Sequence, residues 1–269
     1  MSTAAKPALT DRELAHSAHN VAPAAEPIAY APGRTRMLQG LTVLSTLLML
    51  LSIGLALFYA GTDSVQGNVQ RIFYMHLGAF GAAAVALTIT VFGGVAYLIT
   101  RNARWDKLAL AGVQVGLPLA TITLITGAIW ARPTWNTWWE RDPRLDAMLV
   151  MWVIYAAYLT LRTTIANPDR KARFAAVYGI LAFVSVIYTT IVSRTRTDTL
   201  HPVVIAPQLS TNNQAAVGAF TVSDDITLTI SIASISWMVL CITLIWYRVR
   251  QENLYERVQA LKARLLAQD

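Results

Sequence analysis

Two histidines and a knot of tryptophans carry the chemistry open to this chain. His76 and His201 lie on separate stretches of sequence. Between them runs WARPTWNTWWERDPR, residues 130–144, where Trp130, Trp135, Trp138 and Trp139 put four of the eight tryptophans within ten residues. Indole faces stack well against a large, flat, apolar ligand. Trp also favours the headgroup level of a bilayer, so an interfacial belt is the competing reading. A belt spreads its aromatics over many helix ends; these sit together, beside Arg141, Asp142 and Arg144. Taken singly, each histidine is more often an ordinary packed or surface residue. As a pair flanking an indole-rich segment, they could supply two axial nitrogens to a haem iron. Arg71, Arg144, Arg194 and Arg196 could hold its propionates, since a guanidinium grips a carboxylate in bidentate fashion. Lipid headgroups are the alternative partners of those arginines, and Arg71 is the favoured one because it precedes His76 by five residues. His16 and His19 fall in the N-terminal tail and are expected to play no part.

The elements that must position these groups are apolar spans. Of 269 residues, 55% are hydrophobic and only 14% charged, with mean hydropathy +0.46. Soluble chains carry roughly a quarter charged residues, so a membrane protein is expected. Six apolar runs stand out: Leu38–Tyr59, Phe73–Thr100, Leu108–Trp130, Leu145–Leu161, Phe174–Val192 and Ile226–Trp246. Each comes near the ~20 residues a helix needs to cross the hydrocarbon core. Backbone groups in lipid must bond within their own segment, which favours helices. The expected fold class is therefore an all-α membrane protein of six transmembrane helices, with both termini cytoplasmic.

Charge placement supplies that orientation. Of the 22 Lys and Arg residues, 16 fall in the tails and the second and fourth connections; 6 fall on the other side. The basic excess of +7 is thus a positive-inside signal, and nucleic acid is not an expected partner. Residues 1–36, rich in Ala, Pro and Ser, are expected to be a disordered cytoplasmic tail and not a signal peptide. Residues 37–247 form the six-helix membrane domain, with outer loops at 131–144 and 193–224. The latter exceeds the roughly 15 residues beyond which loops are uncommon unless functional or disordered. Residues 248–269 form a cytoplasmic helical tail, in which Leu254, Val258, Leu261 and Leu265 recur at helical spacing. The single cysteine, Cys241, excludes a disulfide framework and a Cys-based zinc site and is expected to pack as a small apolar side chain.

The run from Thr126 to Leu145 resembles the tryptophan-rich WWD motif of haem-handling cytochrome c assembly proteins. Six spans, two inner termini and one outer histidine on either side of the motif resemble, in particular, the heme exporter protein C family of the System I cytochrome c maturation pathway. The likeness covers roughly residues 38–247. Larger members of the superfamily have many more spans and further histidines, so the length fits the small member. Asn136 stands where the family often has Gly, and Arg141 where it often has an aromatic. Residues 194–199 are polar where tryptophans often precede the second histidine.

The resemblance implies that the WWD loop lies along haem b, bound transiently and without covalent linkage, at the periplasmic surface of the inner membrane. It implies His76 and His201 as axial ligands, and delivery to a periplasmic haem chaperone. A small single-span subunit, the membrane and ATPase subunits of an ABC transporter, and membrane lipids are the implied neighbours. Catalysis is not expected, although help with covalent attachment on the chaperone stays open. Two other classes compete. A membrane cytochrome that shuttles electrons would want more histidines within spans. A small-solute transporter would want polar groups near the bilayer middle.

Overall fold

The computed structural model describes residues 32–63, 66–195 and 223–267. Six long helices follow one another: α1 (Pro32–Gly54), α2 (Arg71–Thr100), α3 (Ala103–Trp135), α4 (Pro143–Thr164), α5 (Pro168–Thr195) and α6 (Asp224–Leu266). Among the described residues, all six are long and apolar enough to cross a membrane. The chain is a multi-pass membrane protein. Strand structure among the described residues amounts to one bridge, Asp63 to Gly67.

Local chemistry sets the helix ends. Asn102 accepts from the Arg104 amide (3.0 Å) to start α3, and Asp142 accepts from the Arg144 amide (2.9 Å) to start α4. Each satisfies a donor that the first turn leaves without an intrahelical partner. Pro143 follows Asp142, where a missing N–H costs nothing. Arg101 closes α2 in the left-handed region, its amide bonded to the Tyr97 carbonyl. The last turn of α1 widens into a π-helical segment, Leu55–Tyr59.

Helix α2 is the centre of the bundle and packs on α3, α5 and α6; α1 is held mainly through α6. The α2–α3 approach is close because small residues line it. A Cβ on Gly93 would sit 2.8 Å from the Ala109 amide nitrogen, and one on Gly112 would sit 2.6 Å from the Ala86 carbonyl. Without a water-driven force between helices in lipid, such van der Waals contact is what holds them. Gly78 does the same for α6, where a Cβ would fall 2.2 Å from the Trp237 ring. Cys241 is buried at that interface and donates weakly to the Ala82 carbonyl (3.4 Å), in keeping with its expected packing role.

Polar contacts define the two ends of the bundle. At one end, Arg162 near the close of α4 grips Asp106 near the start of α3, and Lys107 reaches Asn253 and Glu256 on α6. Thr42 of α1 meets Tyr247 of α6 at the same end. At the other end lie Gly61 with Asp225, His76 with Thr123, Gln66 with Trp130, and Thr189 with Ala147. These are called the basic end and the tryptophan end below.

Candidate functional site

His76 sits two turns into α2, half-buried against α3. Its Nδ1 lies 3.1 Å from the Thr123 carbonyl and 3.2 Å from Thr126 Oγ1. A carbonyl only accepts, so Nδ1 must carry the proton. The Thr126 hydroxyl donates to the Ile122 carbonyl at 2.7 Å, which leaves its oxygen lone pairs for the same Nδ1–H. In the neutral ring the lone pair is then on Nε2. This is the arrangement that prepares an imidazole to ligate: the proton is fixed on one nitrogen and the other is oriented. Gly127 completes the seat, because a Cβ there would lie 3.2 Å from His76 Cε1. Thr123, Thr126, Gly127 and Trp130 fall at i, i+3, i+4 and i+7 along α3, one face of the helix.

One turn beyond lies the tryptophan segment. The expected loop 131–144 is half helix: α3 continues through Pro133 to Trp135. Thr134 bonds back to the Trp130 carbonyl at 2.9 Å within this last turn. Asn136 then ends the helix at φ +59, and Arg132 Nη1 donates to its Oδ1 at 2.7 Å. The left-handed cap suits Gly or Asn, and Asn136 meets that backbone demand.

The four indoles have different surroundings. Trp130 is buried, donates through Nε1 to Gln66 (2.8 Å) and meets Trp135 edge to face at 4.9 Å. Trp139 is half-buried, in a turn where Thr137 bonds to its carbonyl. Trp138 is 59% exposed. Trp130 and Trp135 thus pack on each other, and Trp138 is the most exposed of the four. Asp142 is buried at the start of α4, and Arg144 is buried beside it.

Arg71 donates through Nη1 to the Leu57 carbonyl at 2.7 Å, tying α2 to the π-helical turn of α1. Gln70 bonds to Tyr74, and Asp63 accepts from the Gln66 amide, so the connection before α2 is braced internally. Gln66, Thr123, Thr126 and Gly127 were missed as site residues from sequence. For the three on α3 the signal available was their helical phase with Trp130; Gln66, in the connection before α2, carried none. His201 and Arg196 lie outside the described residues, as does the Arg194 side chain. The chain carrying them leaves from α5 and returns to α6, and both of those helix ends belong to the tryptophan end. Among the described residues, no three His, Cys, Asp or Glu side chains gather as a metal cluster.

A family model described as heme exporter protein C matches residues 20–264. The chain belongs to the heme exporter protein C family. It is 28% identical to heme exporter protein C of Rhodobacter capsulatus, over 62% of this chain and 68% of that relative. To the same-named protein of Paracoccus denitrificans it is 34% identical, over 49% and 53%. A shorter match, 37% over 32% of this chain and 27% of the relative, is to cytochrome c biogenesis protein CcsA of Prochlorococcus marinus. Matches to the heme exporter protein C relatives span from about half to almost four fifths of their lengths. The family model includes both the His76 seat and the whole tryptophan segment.

Proposed function

We propose that this protein handles haem during cytochrome c maturation, binding it at the tryptophan end and passing it on. The observation that carries the reading is the His76 seat. An imidazole with its Nδ1 held by the Thr123 carbonyl stands half-buried at the end of the bundle where the tryptophan segment lies. Both ends of the segment containing His201 emerge there too. Names of the relatives, heme exporter protein C and cytochrome c biogenesis protein, support the same role.

The cargo is haem b, bound transiently and without covalent attachment. His76 Nε2 supplies one axial ligand and His201 the other. Trp135, Trp138 and Trp139 shield the macrocycle face, while buried Trp130 backs them. Asp142 sets the start of α4 and so the entry angle of the segment. Arg71 uses one of its five N–H groups on Leu57 and has others for a propionate. Arg144, Arg194 and Arg196 are the further charge partners. Two neutral imidazoles retain iron well, yet a competing ligand can replace one of them, and that exchange is the handover step.

The basic end faces the cytoplasm under the positive-inside rule, with residues 1–36 and 248–269 on that side. The site then lies at the periplasmic face of the inner membrane. Its receiver is a periplasmic haem chaperone, and its neighbours are a small single-span subunit, the subunits of an ABC transporter, and membrane lipids.

Absorption spectra of the detergent-purified protein test this. His76→Ala and His201→Ala each lower bound haem and alter the ligand-sensitive bands. Full occupancy with an unchanged spectrum in both variants overturns the ligand assignment. Trp138→Ala with Trp139→Ala weakens retention. Transfer of haem from the purified protein to an apo acceptor separates handover from a haem kept for electron transfer.

A further inference from the structure

Helix α6 is far longer than a membrane crossing. Its 43 residues span about 64 Å at 1.5 Å each, against about 30 Å of hydrocarbon. The part from Arg248 to Leu266 continues past the basic end without a break. One face of it is tied to the start of α3: Lys107 bonds to Asn253 (2.8 Å) and Glu256, and Arg248 bonds to Gln114. The opposite face carries Leu254, Val258, Leu261 and Leu265, alternating four and three residues apart as in a coiled-coil seam. Leu254 is 42% exposed and Leu265 is 64% exposed. Basic residues border that seam. Arg250, Arg257 and Arg264 follow one flank and Lys262 the other, while Glu252 and Glu256 fall on the far side.

From this surface we infer that the α6 extension is a docking rod for an amphipathic helix of another protein, one whose apolar seam is bordered by Asp or Glu. Charge selects this occupant. In a parallel pair of two copies, Arg257 of one would face Lys262 of the other, and like charges at those positions oppose pairing. A membrane surface is disfavoured by the geometry. To lie in the headgroup plane the rod must bend where it leaves the bilayer, and α6 instead continues as one unbroken helix tied to α3 through Lys107 and Arg248. The helix is also already formed as the continuation of a span, so docking does not bear the cost of nucleating it.

The test uses the full chain in nanodiscs of zwitterionic lipid and two synthetic heptad-repeat helices, alike in their apolar seam, one flanked by Glu and one by Lys. Fluorescence anisotropy measures their binding. The Glu-flanked helix is expected to bind at least about tenfold more tightly than the Lys-flanked one, a difference of about 1.4 kcal/mol. Leu254→Asp with Val258→Asp abolishes this binding, and Arg257→Glu, Lys262→Glu and Arg264→Glu together reverse the preference. Size-exclusion profile and thermal unfolding of each variant are recorded beside the binding measurement. Equal binding of the two helices by the unaltered chain overturns the proposal without relying on any variant. So does disulfide-linked pairing of Val258→Cys, which makes the occupant a second copy. Protection of the seam from hydrogen exchange on adding anionic lipid alone makes it the membrane surface and overturns it equally.

Discussion

The two ends of this bundle are held by different chemistry. At the basic end, helices are joined through charges that meet each other: Arg162 with Asp106 in a two-point grip at 2.6 and 2.8 Å, and Lys107 with Glu256. At the tryptophan end, the joining bonds run largely to backbone groups and neutral side chains: His76 to Thr123, Arg71 to Leu57, Trp130 to Gln66, Asp225 to the Gly61 amide. Charge that is satisfied within the chain fixes one helix against another. The imidazole of His76 is oriented by a backbone carbonyl on a neighbouring helix. In the function proposed above, one end holds the fold and the other meets the ligand.

Removing the strongest contact of the basic end should affect stability and not the ligand. Arg162→Ala leaves Asp106 as a mostly buried carboxylate without its partner, and a loss of about 3–5 kcal/mol is expected. Unfolding by heat or by SDS titration checks it. The folded fraction should bind haem with the parent spectrum; a changed spectrum would mean that the two ends are coupled.

The converse variant lies at the tryptophan end. Gly127→Ala places a methyl group 3.2 Å from His76 Cε1 and must tilt the ring. Haem affinity is expected to fall by roughly 10–100-fold, as for other changes that disturb a ligand's supporting shell. Thermal stability should change by less than it does in Arg162→Ala. If affinity holds, the His76 seat is ordinary packing.

Gln66→Ala tests whether the brace on Trp130 belongs to fold or ligand. Loss of its bond to the indole N–H should cost about 1 kcal/mol of stability, read by the same unfolding measurements. Haem retention should drop only slightly, because Trp130 is already packed against Trp135. The smallest effect is expected from Asn136→Gly. The position is left-handed, which Gly adopts freely, so stability should shift by no more than a few tenths of a kcal/mol. A large loss would show that the Arg132 bond to the Asn136 side chain, and not the backbone conformation, fixes the segment.

Much of this was legible in the chain itself. The spans were readable because lipid demands long uncharged runs, and all six expected runs lie within the six helices. Their limits were less so: α3 passes Trp130 and ends only at Trp135, because Pro133 sits inside a helix that neighbouring elements support and the stop is the left-handed Asn136. His76 and the tryptophan cluster were singled out by type and spacing. Their supports were not, since Thr123 and Gln66 look like any polar residues until the fold brings α3 against α2 and against the connection before it.

The sequence by itself determined the number of spans, the charge asymmetry between the ends and the identity of the chemical groups. Those follow from what each residue type costs in lipid or in water, which is a local property. Only the tertiary structure decided which nitrogen of His76 holds the proton, which indole is buried and which projects, and that the exposed seam of α6 faces away from α3. Each of these depends on a partner distant in the chain, and composition carries no record of who that partner is.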